Sequence, residues 1–182
     1  MTRVDQVVGR RIEQERISLL YDDMAFIGGD TIPAGRLPQP RVVPAIAFVL
    51  GNDLADGPLD HAQVREAVDY GVAALDVVAG NASGSVFVTG PRRVALRDLD
   101  LTQVRMCLQI NGIEVSAGSQ RCLDDPLDAL ASLARWSRER GNPLCAGEVV
   151  LAGATGPMCP VAPGNVVTAR LSGLGAVKAY FG

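Results

Sequence analysis

The apolar positions of this chain fall mostly into short runs broken by glycine and proline, a rhythm that predicts many strands. Residues 42–50 form an apolar run closed by Gly51 and Asn52, the pattern of a buried strand. Residues 72–79 form a second such run. Residues 86–89 and 94–96 flank a Gly90-Pro91 turn and read as two further short strands. Residues 104–110 and 113–116 flank Asn111-Gly112, a dipeptide that tolerates the left-handed backbone of a tight hairpin turn. Residues 149–152, 166–171 and 176–181 complete the predicted strands.

Helical spacing is rarer. Residues 3–18 mix charged and apolar groups in a way that fits one short helix. Asp60 is a good N-cap for a helix running through Tyr70, with Val64, Ala67 and Val68 on one face. Asp124 or Asp125 caps a longer helix in which Pro126 sits near the first turn. Leu127, Leu130, Leu133, Ala134 and Trp136 form its apolar side, and Gly141 ends it. Gly28, Gly29, Pro33, Gly35, Pro38 and Pro40 mark a loop-rich segment between the first helix and the first strand. The sum is a β-rich α+β fold. With no repeat, low-complexity segment or linker, it reads as one domain over residues 1–182.

Composition narrows the functional classes. Apolar residues make up 48% and charged residues 20%, ordinary for a globular protein. The net charge of -3 and the isolated pairs Arg10-Arg11 and Arg92-Arg93 give no basic patch for nucleic acid. Aromatics, at 4%, are too few for base-stacking platforms, so the core must come from Val, Leu, Ile and Ala. The N-terminus is charged and without an apolar leader, and no apolar stretch approaches a membrane span, so a cytoplasmic location away from membranes is expected. Cys107, Cys122, Cys145 and Cys159 form no C-x-x-C pair, which suits reduced small hydrophobes and suggests neither zinc nor redox chemistry.

Several stretches taken in order resemble one family. "TIPAGRLPQPRV" followed by "IAFVLGNDL" (46–54), "AALDVVAGNAS" (73–83), "GEVVLAGA" and "PVAPGNVVTARLSGLGAV" (147–177) are similar to blocks of the fumarylacetoacetate hydrolase superfamily, in its 2-hydroxypentadienoate hydratase and oxalocrotonate decarboxylase branch. The resemblance runs from about Tyr21 to Phe181. It implies a mixed, rolled β-sheet with a central pocket and a few peripheral helices. It also implies an ancestral chemistry in which a divalent cation chelates the carboxylate and 2-oxygen of a 2-oxo or 2-hydroxydienoate acid and stabilises an enolate.

The chain departs from that family where the chemistry lies. The family's Glu-x-Glu falls on Val43 and Ala45, with Pro44 between them, and its third carboxylate falls on Asp76. One carboxylate is a poor site for a hard cation, so the expectation is a degenerate metal site with no metal and no other cofactor. Asp76 also reads as a hydrogen-bonded buried acid left from ancestry. The family's substrate-contacting lysine falls on Arg11 in "GRRIEQ" (9–14), and the segment from there to "LYDDM" (20–24) is nearly deleted. Arg11 could hold a ligand carboxylate with its fork of donors, or be an ordinary solvated helix charge. Asp22 and Asp23 match the family's acidic pair near the pocket lid and could act as general acid or base, or simply cap a turn. Asn81 and Ser83 match a loop whose polar groups face the ligand. Ser83 has no histidine to activate it, because His61, the only one, sits at a predicted helix start beside Asp60.

Two classes of function follow. In the first, an enzyme keeps the pocket and works without metal on a small oxo or enol compound, as a lyase, isomerase or cyclase. Asp76, Asp23 and Asp22 are then its acid-base candidates, with Arg11, Asn81 and Ser83 binding substrate. Asp76 would sit in an apolar cavity that raises its pKa towards neutrality. In the second, the chain is a non-catalytic subunit supporting an active homologue. The shortened front, about residues 1–20, predicts an uncovered edge and hence a homo-oligomer or a complex with a longer homologue.

Overall fold

The computed structural model describes residues 7–13, 16–115, 120–121, 125–153 and 158–182. The chain opens with two strands, β1 (Val7–Glu13) and β2 (Arg16–Tyr21), paired antiparallel. This corrects the single helix expected over 3–18, as far as those residues are described. Local helix preference in so short a segment is marginal. Here β1 gains a second partner, running parallel to β11 (Val149–Gly153), and the two ladders together satisfy its backbone. Gly9 permits this approach, since a Cβ there would overlap the Val149 carbonyl.

The first sheet is built on three long or central strands: β5 (Arg41–Leu50), β6 (Val68–Val78) and β7 (Ser85–Thr89). Its order is β2-β1-β11-β5-β6-β7-β3, where β3 is Ala25–Ile27, and β12 (Cys159–Pro160) adds to the end of β5. The second sheet contains β4 (Thr31–Ile32), β8 (Arg105–Ile110), β9 (Ile113–Glu114), β10 (Gln120–Arg121), β13 (Val166–Leu171) and β14 (Gly175–Phe181). Its order is β10-β8-β13-β14-β4, with β9 on β8. The expected β-rich α+β architecture is therefore the one observed, including the β8–β9 hairpin, whose Asn111 and Gly112 take φ of 53° and 79°.

The core fills the space between the sheets. Ile46, Phe48, Leu75, Val77 and Val88 from the first sheet join Leu108, Val167, Ala169, Val177 and Ala179 from the second in one buried cluster. Two helices close its side. α1 (His61–Ala67) is capped by Asp60, which accepts from the Gln63 N–H at 3.0 Å. It ends three residues before the expected Tyr70, because Val68–Tyr70 are taken up by the β5–β6 ladder. α2 (Pro126–Glu139) is capped by Asp125 on the Leu127 N–H, with Pro126 in its first turn; Asp124 lies outside the described residues. Leu127, Leu130, Leu133 and Ala134 are buried as expected, but Trp136 is 38% exposed with the Arg140 guanidinium 4.0 Å over its ring. The buried stripe continues instead to Ser137, a polar residue that lies i+3 from Ala134.

The expected strand over 94–96 is also replaced. Val94 makes a single bridge to Gly71, and Leu96 begins a 3-10 turn over Leu96–Asp98. No helix among the described residues is long and apolar enough to cross a membrane.

Candidate active site

A strand sends alternate side chains to opposite faces, so a sheet lined on both sides needs two separate apolar sets. On β6, Ala73, Leu75 and Val77 belong to the core between the sheets. Val72 and Ala74 belong to a second cluster with Leu20, Ala45, Ala47, Phe87 and Leu151, on the other face. Asp76 shares that second face, opposite Val43 on β5 and Phe87 on β7.

Arg11 arrives on the same face from β1. Its register partner is Leu151, and Leu151 in turn faces Ala47. Arg10, one residue earlier, points to the other face, where it pairs with Glu148 at 2.7 Å and donates to the Asn142 carbonyl at 3.3 Å. Strands β1 and β6 are three spacings apart, about 14 Å on a flat sheet, farther than one arginine side chain reaches. Nevertheless the Arg11 Nη2 donates to Asp76 Oδ1 at 2.5 Å. The sheet must therefore curl around this face, and the pair spans the hollow. The small side chains of Ala45, Ala47 and Ala74 form its floor.

Both members are buried, Arg11 at 4% and Asp76 at 3% exposed. This overturns the solvated-helix reading of Arg11. The Arg11 Nε is buried with no hydrogen-bond acceptor among the described residues. A buried donor left in that state costs on the order of 1–3 kcal/mol. Asp76 is thus held by a cation and is not the isolated acid in an apolar cavity that the sequence suggested.

A cavity of about 540 Å³ opens on the same sheet face. Val49, Val72, Phe87 and Val149 wall it, and Asp22, Thr89 and Arg93 supply side-chain polarity. Phe87, directly across the ladder from Asp76, lines the cavity, whereas Arg11 and Asp76 themselves are not among its lining residues. The Arg93 guanidinium lies 4.6 Å from the centre of the Tyr70 ring at this cavity. Nothing in the local sequence singled out Tyr70 or Arg93; only the even-numbered alternation along β6 hints that Tyr70 joins the face of Asp76.

The remaining candidates separate. Asp22 reaches the cavity, while its neighbour Asp23 is exposed and paired with Arg36 at 2.6 Å. Asn81 and Ser83 lie in the exposed turn between β6 and β7, where the Asn81 Oδ1 accepts from the Ser83 N–H at 3.1 Å. His61 is exposed and joins the two helices, with Nε2 2.5 Å from Asp128 and Nδ1 3.6 Å from Asp125. The Asp128 hydrogen bond raises its pKa, and the charges of Asp128, Asp125 and Asp60 add to this against a smaller desolvation.

Comparison with known proteins matches this architecture. The family described as fumarylacetoacetate (FAA) hydrolase C-terminal matches residues 45–181. The chain belongs to the fumarylacetoacetate hydrolase superfamily. It is 41% identical to a 2-keto-4-pentenoate hydratase of Paraburkholderia xenovorans (strain LB400), over 98% of this chain and 71% of that one. It is 32% identical to a 4-oxalocrotonate decarboxylase of Pseudomonas putida, over 93% of this chain and 70% of the other. The solved 4-oxalocrotonate decarboxylase from Pseudomonas putida G7, complexed with magnesium and adipate, superposes with a TM-score of 0.88 at 27% identity. That superposition covers 98% of this chain and 79% of the decarboxylase.

Proposed function

We propose that this chain is a hydratase- or decarboxylase-like enzyme that acts on a small oxo or enol acid by acid-base chemistry without a divalent metal. The observation that carries the reading is the buried Arg11–Asp76 pair on the cavity face. The donor set there does not suit a hard cation, which takes several oxygen ligands. The residues flanking Asp76 across the ladder are Val43 and Phe87, and the next rung carries Ala45 and Ala74. Its carboxylate already accepts from a guanidinium. Among the described residues, the one cluster of three potential metal ligands is His61, Asp125 and Asp128, at the α1–α2 junction and off this face.

In this reading Arg11 receives the anionic end of the substrate with its planar fork of donors. As the guanidinium turns to the ligand, Asp76 becomes available as a base. Asp76 takes a proton from the carbon next to the oxo group, and the electron pair moves onto the oxygen to give the enolate. The proton returns at the carbon that the product requires. Asp22, at the cavity, is the second acid. The relatives, named for 2-keto-4-pentenoate and 4-oxalocrotonate, support this substrate class.

The test is turnover of 2-hydroxydienoate and 2-oxo acids by chelator-treated protein. Activity is expected to survive the chelator, and Asp76→Asn should lower it by about 10²–10⁴-fold while preserving the circular dichroism spectrum. Activity that appears only on adding Mg²⁺ or Mn²⁺ would overturn the proposal. If the chain has no turnover of its own but raises that of a full-length homologue, the supporting-subunit reading replaces it.

A further inference from the structure

We propose that the open end of the curled first sheet is a separate binding site for a flat apolar monocarboxylate, with the Arg93 guanidinium holding the carboxylate at the rim and the ring lying between Tyr70 and Phe87. The site is distinct from the Arg11–Asp76 pair, and the proposal stands whether or not that pair is catalytic.

Eight strands form the first sheet, and Asp22–Met24 join β2 directly to β3, so the two ends of the sheet are tethered together. A sheet of this size curled on itself encloses a hollow that takes either packed side chains or one small ligand. Towards Asp76 the hollow is packed, with Ala47, Ala74 and Leu151 fully buried in one apolar cluster. Towards Tyr70 it opens into the cavity of about 540 Å³, a size ordinary for small-molecule sites. Tyr70 and Asp76 lie on the same face of β6, roughly 20 Å apart along an extended strand. A small acid held at the ion pair therefore cannot reach the Tyr70 rim.

The lining selects the ligand. Val8, Val49, Val72 and Val149 come from four different strands. Their branched side chains have little χ1 freedom, so these walls keep their shape. A rigid wall favours a rigid ring, which loses less conformational freedom on binding than a flexible chain. Ile27, 67% exposed, carries the apolar surface out to the rim. Arg93 is the one cation on the lining and Asp22 the one acid. Arg93 makes no hydrogen bond or ion pair among the described residues; its assigned contact is the face of the Tyr70 ring, 4.6 Å away. That stack holds the guanidinium flat and leaves its edge donors for a carboxylate. With one group of each sign on the lining, a single anionic end is placed at Arg93, and a second is disfavoured by Asp22.

The probes are 2-naphthoate, its neutral isostere 2-naphthamide and the flexible octanoate, each titrated by calorimetry into the full chain. 2-Naphthoate is expected to bind about 10-fold or more tightly than either of the others. Arg93 is exposed, so Arg93→Gln should leave the fold intact. It should lower 2-naphthoate affinity to that of 2-naphthamide and leave 2-naphthamide unchanged. Val49→Phe fills the cavity and should abolish binding of both; Arg93→Gln carries the test if that variant does not fold. Asp76→Asn should leave 2-naphthoate affinity within about 2-fold of wild type.

No binding of 2-naphthoate by wild type overturns the proposal. So does equal binding of 2-naphthoate and 2-naphthamide, or an Arg93→Gln protein that binds 2-naphthoate as wild type does. Octanoate binding as tightly as 2-naphthoate overturns the flat-ring assignment. Loss of binding in Asp76→Asn protein places the ligand at the ion pair and overturns the separate site. Arg93-dependent binding by a protein without turnover upholds the site while the enzymatic reading fails.

Discussion

Arg10 and Arg11 are neighbours in the chain but serve opposite faces of one sheet, because the side-chain period of a strand is two. Each is buried against an acid from a distant strand or loop, Glu148 for one and Asp76 for the other. Removing one member of such a pair leaves an uncompensated buried charge. Arg11→Met should therefore destabilise the fold by about 3–5 kcal/mol in urea denaturation. Replacing both partners, Arg11→Met with Asp76→Leu, should recover most of that loss, since apolar groups of similar volume often substitute for a buried pair at little cost. Equal destabilisation by the single and double variants would show that packing, rather than charge, sets the effect. Asp23 should behave differently. Its pair with Arg36 is exposed, and Asp23→Asn should change stability by less than about 1 kcal/mol in the same assay.

At the scale of elements, β1 depends on Gly9. A methyl group there would overlap the Val149 carbonyl, so Gly9→Ala should break the β1–β11 ladder and with it the placement of Arg11. A loss of more than about 2 kcal/mol is expected. A Gly9→Ala protein with unchanged melting temperature would show that the strands can part without harm. The α1–α2 junction has its own signature in His61. Its folded pKa is raised above the usual 6.5 by the Asp128 hydrogen bond and neighbouring acids. A raised folded pKa means that the native state holds its proton more tightly. The contribution is therefore fully present below pH 6.5 and is lost as pH rises through the folded value. Melting temperature measured from pH 5 to pH 8.5 should fall in that direction for wild type, and His61→Gln should flatten the slope. An identical slope in both proteins would assign the pH dependence elsewhere.

Among the described residues, the first sheet ends on β2 at one side and β3 at the other. β2 ends the first sheet with Leu19 41% exposed, and β3 ends it on the other side with Ile27 67% exposed. Open edges with apolar side chains invite pairing with another chain. Sedimentation at micromolar concentration is expected to give a homo-oligomer, and Leu19→Lys should shift it towards smaller species. A monomeric wild type would count against this assembly and against a requirement for a partner. Oligomerisation unaffected by Leu19→Lys would place the contact on another surface.

The long apolar runs, the Asn111-Gly112 turn and the Asp60 and Asp125 caps carried the fold class, because each is decided by neighbours within a few residues: burial periodicity, left-handed backbone, an orphan N–H. Asp76 and Arg11 were also singled out one at a time as candidates, through the motifs that hold them. Their union was not. The two lie 65 positions apart, and only the curl of the sheet brings β1 across from β6. The same ladder turned an apparent charged helix into β1, since pairing with β11 and β2 outweighs weak local preference. Trp136 shows the converse at small scale: its spacing fitted a helical stripe, but which turn of α2 meets the core was settled by what packs there. Local chemistry fixed the strands and caps. The cation beside Asp76 was decided by the tertiary structure, because a charge is neutralised by whatever lies near it in space.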